Sequence, residues 1–258
     1  MKIAVLIKEV PDTGADRALN PQTGLADRAA SEAVLDEIGE RTLEVALKIL
    51  DADPDTRITV LSMGPDSIQA TLRKALAMGA ADAVQISDDA LIGADLVLTA
   101  EVLAAALRRE QYDLVLAGNM STDGSAGMLP VMLAELLSLP AATSLSEISI
   151  ADGVLRGTRE LEGATAQIST PLPAIASITE ALPDARFPNF KGIMAAKKKP
   201  IEILSLADLG VDALPADTAR SIMLTVAQKP PREAGTIMND DGQAGAALVD
   251  FLAKNNLV

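Results

Sequence analysis

The chain of 258 residues has no cysteine, no histidine and no tryptophan, and its aromatic complement is Tyr112 and three phenylalanines. Without cysteine there is no disulfide and no thiolate nucleophile, and secretion has no support from the composition. Without histidine there is no Ser-His or Cys-His pair and no imidazole shuttle near neutral pH, and the two absences together remove the usual zinc ligands. Only carboxylate, lysine or tyrosine chemistry remains, or none. Positive charge is scarce, with 22 Lys+Arg against 36 Asp+Glu and a net charge of −14, which argues against nucleic acid and anionic membrane surfaces as partners. The run Lys197-Lys198-Lys199 is a local exception, read as a solvated patch more readily than as a phosphate contact. Long apolar runs are missing too: Asp95, Glu101 and Arg108 interrupt the best candidate for a spanning helix, which needs ~18–20 residues. The apolar start Ile3 to Ile7 is closed by Lys8 and is too short for a signal peptide. These features lead to the expectation of a cytoplasmic protein without membrane insertion.

What is present is aliphatic. Hydrophobic residues make up 49% of the chain, so a sizeable core of Ala, Leu, Ile and Val is available. Short β-rich runs at Lys2 to Lys8, Arg57 to Met63, Ala83 to Ile86, Asp113 to Gly118 and Pro173 to Thr179 alternate with helical periodicities at Glu32 to Leu50, Ser67 to Met78 and Asp95 to Arg109. This rhythm predicts βαβ units on a doubly wound, mostly parallel sheet, an α/β fold whose ligands sit at carboxyl ends of strands near a reversal of strand order. After Pro140 the pattern becomes alternating, and Leu145 to Thr170 predicts an antiparallel hairpin insertion with Asp152-Gly153 at its turn and a second turn at Glu162-Gly163. The domain is expected to span residues 1–193. From Met194, Pro200, Pro215, Pro230 and Pro231 break an extended C-terminal arm, 194–258, that ends in a helix over Gly242 to Lys254. So little core of its own implies that the arm lies on something else.

Two stretches carry functional signals. Gly118-Asn119-Met120-Ser121-Thr122-Asp123-Gly124-Ser125-Ala126-Gly127 follows a strand and leads into an apolar helix over Gly127 to Leu137. Its glycines let the backbone approach a ligand, its hydroxyls offer hydrogen bonds, and the helix start favours an anion. An ordinary capped helix start, with Asp123 or Ser125 as N-cap, explains the same residues. Asp123 points to a hydroxyl or ribose neighbour rather than a bare phosphate. The second stretch, Arg186-Phe187-Pro188-Asn189-Phe190-Lys191-Gly192-Ile193-Met194-Ala195, holds two of the three phenylalanines in a composition that predicts an irregular surface loop. Its rings are either a docking hook or a plug folded onto the core.

Lys8 with Pro11-Asp12, Leu35-Asp36-Glu37-Ile38, Ser62-Met63-Gly64-Pro65, Ala75-Leu76-Ala77-Met78-Gly79-Ala80-Ala81-Asp82, the Asp113 to Gly118 strand with its loop, Arg159-Glu160, and Ile193 through Glu202 follow one another in an order that resembles the beta subunit of electron transfer flavoproteins. The resemblance runs from residue 2 to about Gly210. It implies an adenine-nucleotide α-hydrolase-like fold and an electron carrier without catalytic side chains of its own. In such heterodimers the alpha subunit holds most of the FAD and the beta subunit a structural AMP. Electrons then pass from acyl-CoA dehydrogenases and related flavoproteins, as in fatty acid oxidation, toward a membrane quinone reductase.

By the same resemblance the AMP contacts fall on Leu6, on the turn Ala33-Val34-Leu35-Asp36, on Met63, and on the loop from Gly118 through Met128 to Leu129. The family often has Asn-Pro where this chain has Ala33-Val34, and the loop departs from the family at Ser125-Ala126-Gly127-Met128. Phe190 stands at the anchor position of the family's recognition loop, which favours the hook, and Glu160 matches a glutamate proposed to steady the flavin domain, or else forms an exposed strand ion pair. A bifurcating type with a second FAD in place of AMP typically reads Asp-Gly-Asp-Thr-Ala-Gln, against Asp123-Gly124-Ser125-Ala126-Gly127-Met128 here, so the AMP type is favoured. A stand-alone adenine-nucleotide module is the remaining alternative.

Overall fold

The computed structural model describes residues 1–15, 18–212, 221, 223–227, 229–232, 234–240 and 242–258. In chain order the elements are β1 (Lys2–Leu6), β2 (Glu9–Pro11), β3 (Ala33–Leu35), α1 (Glu37–Ala52), β4 (Arg57–Met63), α2 (Gln69–Met78), β5 (Asp82–Ile86), α3 (Leu96–Leu107), β6 (Leu114–Gly118), α4 (Leu129–Leu137), β7 (Ala141–Leu145), β8 (Glu147–Ala151), β9 (Val154–Leu161), β10 (Ala164–Pro171), β11 (Ala174–Ile178), α5 (Phe190–Ala196), β12 (Ile201–Leu204), α6 (Leu206–Leu209) and α7 (Ala244–Lys254).

Runs such as Ile3-Ala4-Val5-Leu6 and Leu114-Val115-Leu116-Ala117 are apolar at every position because both faces of their strands are covered. Seven strands form one parallel sheet in the order β12-β5-β4-β1-β6-β11-β7. Alternate side chains feed two cores. Ile3, Val5, Leu114 and Leu116 meet Leu43, Leu47, Leu72 and Leu76 of α1 and α2, whereas Ala4, Leu61 and Val115 meet Leu98, Val102, Leu103 and Leu133 of α3 and α4. The predicted doubly wound α/β fold is present.

The chain builds β1, β4 and β5 outward in one direction, then returns to place β6 on the other side of β1. The order therefore reverses between β1 and β6, and the loops leaving their carboxyl ends diverge there.

Differences from the sequence reading have local causes. The helix expected from Glu32 begins only at Glu37, because Ala33–Leu35 pair antiparallel with Glu9–Pro11. Ala141–Leu145, unread in the sequence, forms the edge strand β7. The alternating insertion is a three-stranded meander, β8-β9-β10, with Asp152 and Gly153 at φ 53° and 71° and Gly163 at 73°, as its turns require. The arm does not begin at 194: Ile201–Leu204 pair with β5 and extend the main sheet. A second unit, Thr225–Val258, carries α7, which has no buried residue; Pro215 lies outside the described residues. No described helix is long and apolar enough to cross a membrane.

The expected irregular loop at 186–195 contains helix α5. Asn189 caps it, its side chain accepting from Gly192 N at 2.8 Å. Helices α2 and α5 then cap each other. Arg73 of α2 donates to the carbonyls of Ala196 and Lys199 at 2.7 and 2.6 Å, while Lys199 Nζ donates to those of Leu76 and Ala80 at 2.9 and 2.6 Å. Lys199 is thus a half-buried helix cap rather than part of a solvated patch, and partial burial pulls its ammonium below the usual lysine range. The helices approach so closely that a Cβ on Gly192 would overlap Ala77 O. Gly192→Ala is expected to destabilise the chain by about 1–3 kcal/mol through overpacking, read as a lower urea midpoint at unchanged slope.

Candidate functional site

The crevice between β1 and β6 is walled by three segments. The first is the exit of β1, where Leu6 is buried and Lys8 follows. The second is the start of α1. Asp36 N donates to Lys8 O at 2.9 Å, and Asp36 stands at the N-cap but makes no side-chain cap bond. Its Oδ2 instead accepts from Thr122 N at 2.9 Å, tying α1 to the third wall, the loop after β6. That loop needs Gly118, since a Cβ there would lie 2.7 Å from Ile38 of α1.

Within the loop, Ser125 (φ 50°) and Gly127 (φ 65°) are left-handed, and Ser125 N and Oγ both donate to Ser121 O, at 2.9 and 3.3 Å. Gly124 N donates to Asp123 Oδ1 at 2.6 Å and to Ser121 Oγ at 3.3 Å. A Cβ on Gly124 would fill the space 3.3 Å from Ser121 Oγ and 3.9 Å from Lys8 Nζ. Met128, rather than Asp123 or Ser125, is the N-cap of α4, without a side-chain cap bond. The N–H groups of Ala126, Gly127 and Met128 donate to no acceptor among the described residues.

Asp123 is the electrostatic centre. Its side chain is only 7% exposed, and each oxygen meets a cation: Lys8 Nζ lies 2.7 Å from Oδ1 and Arg28 NH2 lies 2.7 Å from Oδ2. Burial works to raise its pKa, but the bonds from Lys8, Ser121 and Arg28 outweigh this and hold the carboxyl well below the usual carboxylate range. Asp36 is shifted the other way: burial raises it, and the N–H of Thr122 offsets this only in part.

The geometry brings together Asp36 and Ser121 through Ser125, and it adds Lys8 and Arg28. The sequence reading placed Lys8 in a motif but not in the site, and it missed Arg28, which gave no signal because it sits in an irregular segment 95 positions from its partner. Both Asp123 oxygens are engaged by cations, so this carboxylate is a holder of positive charge rather than the open hydroxyl acceptor expected. Ala33 and Val34 lie in β3, paired with Pro11 and Val10. Leu6, Met63 and Leu129 contribute to the core on the α3 and α4 side. Asn119 N is held by Ile178 O at 2.8 Å, and Asn119 Oδ1 accepts from Met120 N at 2.9 Å. Two surface cavities, lined by Glu101, Arg108 and Leu209 and by Glu44, Ile49 and Ile150, share none of these residues.

A second surface lies at α5. Arg186 grips α1 through a fork onto Glu44, at 2.7 and 2.9 Å, and reaches Asp51 at 2.7 Å. Phe187 is 94% and Phe190 80% exposed, and Ile193 and Met194 are exposed beside them; neither ring is a plug on the core. Glu160 on β9 accepts from the hydroxyls of Ser146 and Thr165, at 3.3 and 3.1 Å.

A glycine-bearing loop at a strand-order reversal, lined by cations and free N–H groups, has a donor set that suits an anion, at the place where doubly wound α/β sheets carry their ligands. A family profile described as electron transfer flavoprotein domain matches residues 23–209. The chain is 42% identical over 263 residues to the electron transfer flavoprotein subunit beta of Mycobacterium tuberculosis, covering 99% of both chains. It is 32% identical to the subunit of that name in Bacillus subtilis, with 98% of this chain and 97% of the relative covered. It is also 32% identical to the caffeyl-CoA reductase-Etf complex subunit CarD of Acetobacterium woodii, over the whole of both chains. The chain belongs to the electron transfer flavoprotein beta-subunit family. It is thereby a subunit of a flavin electron carrier that works with an alpha partner and with dehydrogenases.

The sign of the Asp123 shift sets a pH dependence. A depressed carboxyl stabilises the native state above the ordinary carboxylate pKa, and this is lost as pH falls from about 4 toward its own titration. Asp123→Asn is expected to cost about 1–3 kcal/mol at pH 7, at the lower end because Lys8 and Arg28 are half exposed. Urea unfolding at pH 7 and pH 3 should show the difference between variant and wild type shrinking in acid.

Proposed function

We propose that the crevice between β1 and β6 binds AMP as a structural nucleotide. The observation that carries this reading is the loop from Gly118 to Leu129 at the strand-order reversal, with its space beside Gly124, its free N–H groups at Ala126 to Met128 and two cations at its edge. The donor set suits a phosphate, and the flanking segment Ala33 to Asp36, with Leu6 and Met63, would border the nucleoside. Loop contacts made by the backbone tolerate the departures at Ser125, Ala126 and Gly127. The loop lacks the second acid and the glutamine associated with the bifurcating type, which supports AMP over a second FAD.

In this reading the FAD is held mostly by the alpha subunit and supplies the redox chemistry. This chain contributes a wall to the flavin site and a docking surface for the donors. Electrons arrive from acyl-CoA dehydrogenases and related flavoproteins and leave toward a membrane quinone reductase. The segment Arg186 to Ala195 is the docking hook: Phe190, Ile193 and Met194 recur at helical spacing on α5, and Phe190 is the anchor that enters a pocket of the dehydrogenase. The C-terminal unit, with its helix of exposed apolar residues Leu248, Val249 and Phe251, packs on the alpha subunit. Glu160 steadies the flavin-bearing domain from the meander.

Two measurements test this. Heat-released ligand from the purified two-subunit complex is expected to be one AMP and one FAD; two FAD would establish the bifurcating type, and the absence of adenine nucleotide besides FAD would sink the site. Phe190→Ala is expected to weaken dehydrogenase binding by about 2–4 kcal/mol, the range of a buried aromatic anchor, with little change in melting temperature. Phe190→Leu should fall between the two. A large drop in melting temperature with unchanged electron transfer from the dehydrogenase would defeat the hook.

A further inference from the structure

The pairing of Lys8 and Arg28 on one buried carboxylate is more than an ion pair. A lone acid of this kind needs one cation to neutralise it; Asp123 has two, one per oxygen, at the mouth of a loop whose other carboxyl, Asp36, is buried on an N–H of Thr122, in a chain whose net charge is −14. An anionic ligand approaching that chain meets a repulsive field nearly everywhere. The contact to Asp123 uses one nitrogen of the Arg28 fork, and the side chain is half exposed, so further N–H donors remain for an anion. Lys8 Nζ reaches Ser121 Oγ only weakly, at 3.4 Å. The space that a Cβ on Gly124 would occupy opens between that hydroxyl and Lys8 Nζ.

We propose that Lys8 and Arg28, held side by side by Asp123, form a clamp for a phosphate group, and that Arg28 is the residue that makes this crevice select a nucleotide over a nucleoside. Asp123 is then a positioning residue: it orders two long, mobile side chains in advance, so that less side-chain entropy is lost when the anion arrives. Arg28 comes from the segment between β2 and β3, so the clamp also links that strap to the loop after β6. The inference rests on the nucleotide reading of the crevice, and it adds the group of the ligand that is recognised and the residue that recognises it.

The test uses the two-subunit complex stripped of nucleotide and titrated calorimetrically with AMP and with adenosine. Wild type is expected to bind AMP at least about tenfold more tightly than adenosine, with AMP binding alone weakened by added salt. Arg28→Ala is expected to weaken AMP about 10- to 100-fold, the range for a hydrogen bond to a charged group, and to leave adenosine within about twofold. Arg28→Lys should recover part of the loss, because it keeps the charge but not the fork. Equal losses for both ligands would show that Arg28 acts only on the fold of the crevice, and an unchanged AMP affinity would show that it is a surface ion pair; either result overturns the clamp while the nucleotide site stands. Wild type binding neither ligand would overturn the nucleotide site and the clamp with it.

Discussion

Strands β1 and β6 are neighbours in space but are separated in sequence by β2 to β5 and three helices, and the architecture of the crevice follows from that reversal. Two loops leaving adjacent parallel strands toward opposite sides of the sheet cannot pack against each other, so a gap opens that helix starts and cross-bonds must border. Helix α1 does this here: Ile38 leaves no room for a side chain on Gly118, and Asp36 receives the N–H of Thr122 while its own N–H goes to the carbonyl of Lys8. One residue thus joins all three walls. The raised pKa of Asp36 is the cost of that position, because a carboxyl buried there loses more solvation than its hydrogen bonds from Thr122 and Ile38 return.

The exposed surface at α5 depends on a different constraint, the exclusion of this helix from the main core. Only Ala196 of this helix is fully buried, so burial cannot hold it, and polar anchors do: the reciprocal caps through Arg73 and Lys199 on one side, and the Arg186 fork onto Glu44 and Asp51 on the other. Fixed at both ends, the helix and the residues before it keep Phe187 and Phe190 in solvent. Burying a phenylalanine ring is worth about 1.5–3 kcal/mol, which this chain leaves unrealised twice within four positions. An exposed apolar cluster on a rigidly anchored element is the arrangement expected of a surface that meets another protein.

The parallel sheet was legible because strands buried on both faces are apolar at every position and alternate with long helical periods. The turns of the meander were legible because Asp152-Gly153 and Gly163 are residues that accept a left-handed backbone. Helix α5 was not, since seven residues with Phe, Lys and Gly at their start are too few to establish a period, and the helix owes its existence to the Asn189 cap and to contacts with α2. Strand β3 was hidden because Ala33-Val34-Leu35 runs without interruption into the residues of α1, and only its pairing with Glu9–Pro11 shows where the strand ends. In the same way β12 lay behind Pro200, which reads as a break yet stands at the entrance of an edge strand, where proline removes no bond that the sheet needs.

The candidate site divides along the same line. Glycines and hydroxyls after β6 marked the loop because their chemistry is local. The role of Asp123 was not local. An acid in a ligand loop reads equally as an acceptor for a ribose hydroxyl or as a holder of cations, and the difference lies in Lys8 and Arg28, which arrive from two other segments. Once both oxygens are engaged, the carboxylate holds two cations at the rim of the crevice. The same residue therefore fixes the positions of two cations where, read by itself, it would only repel an anion.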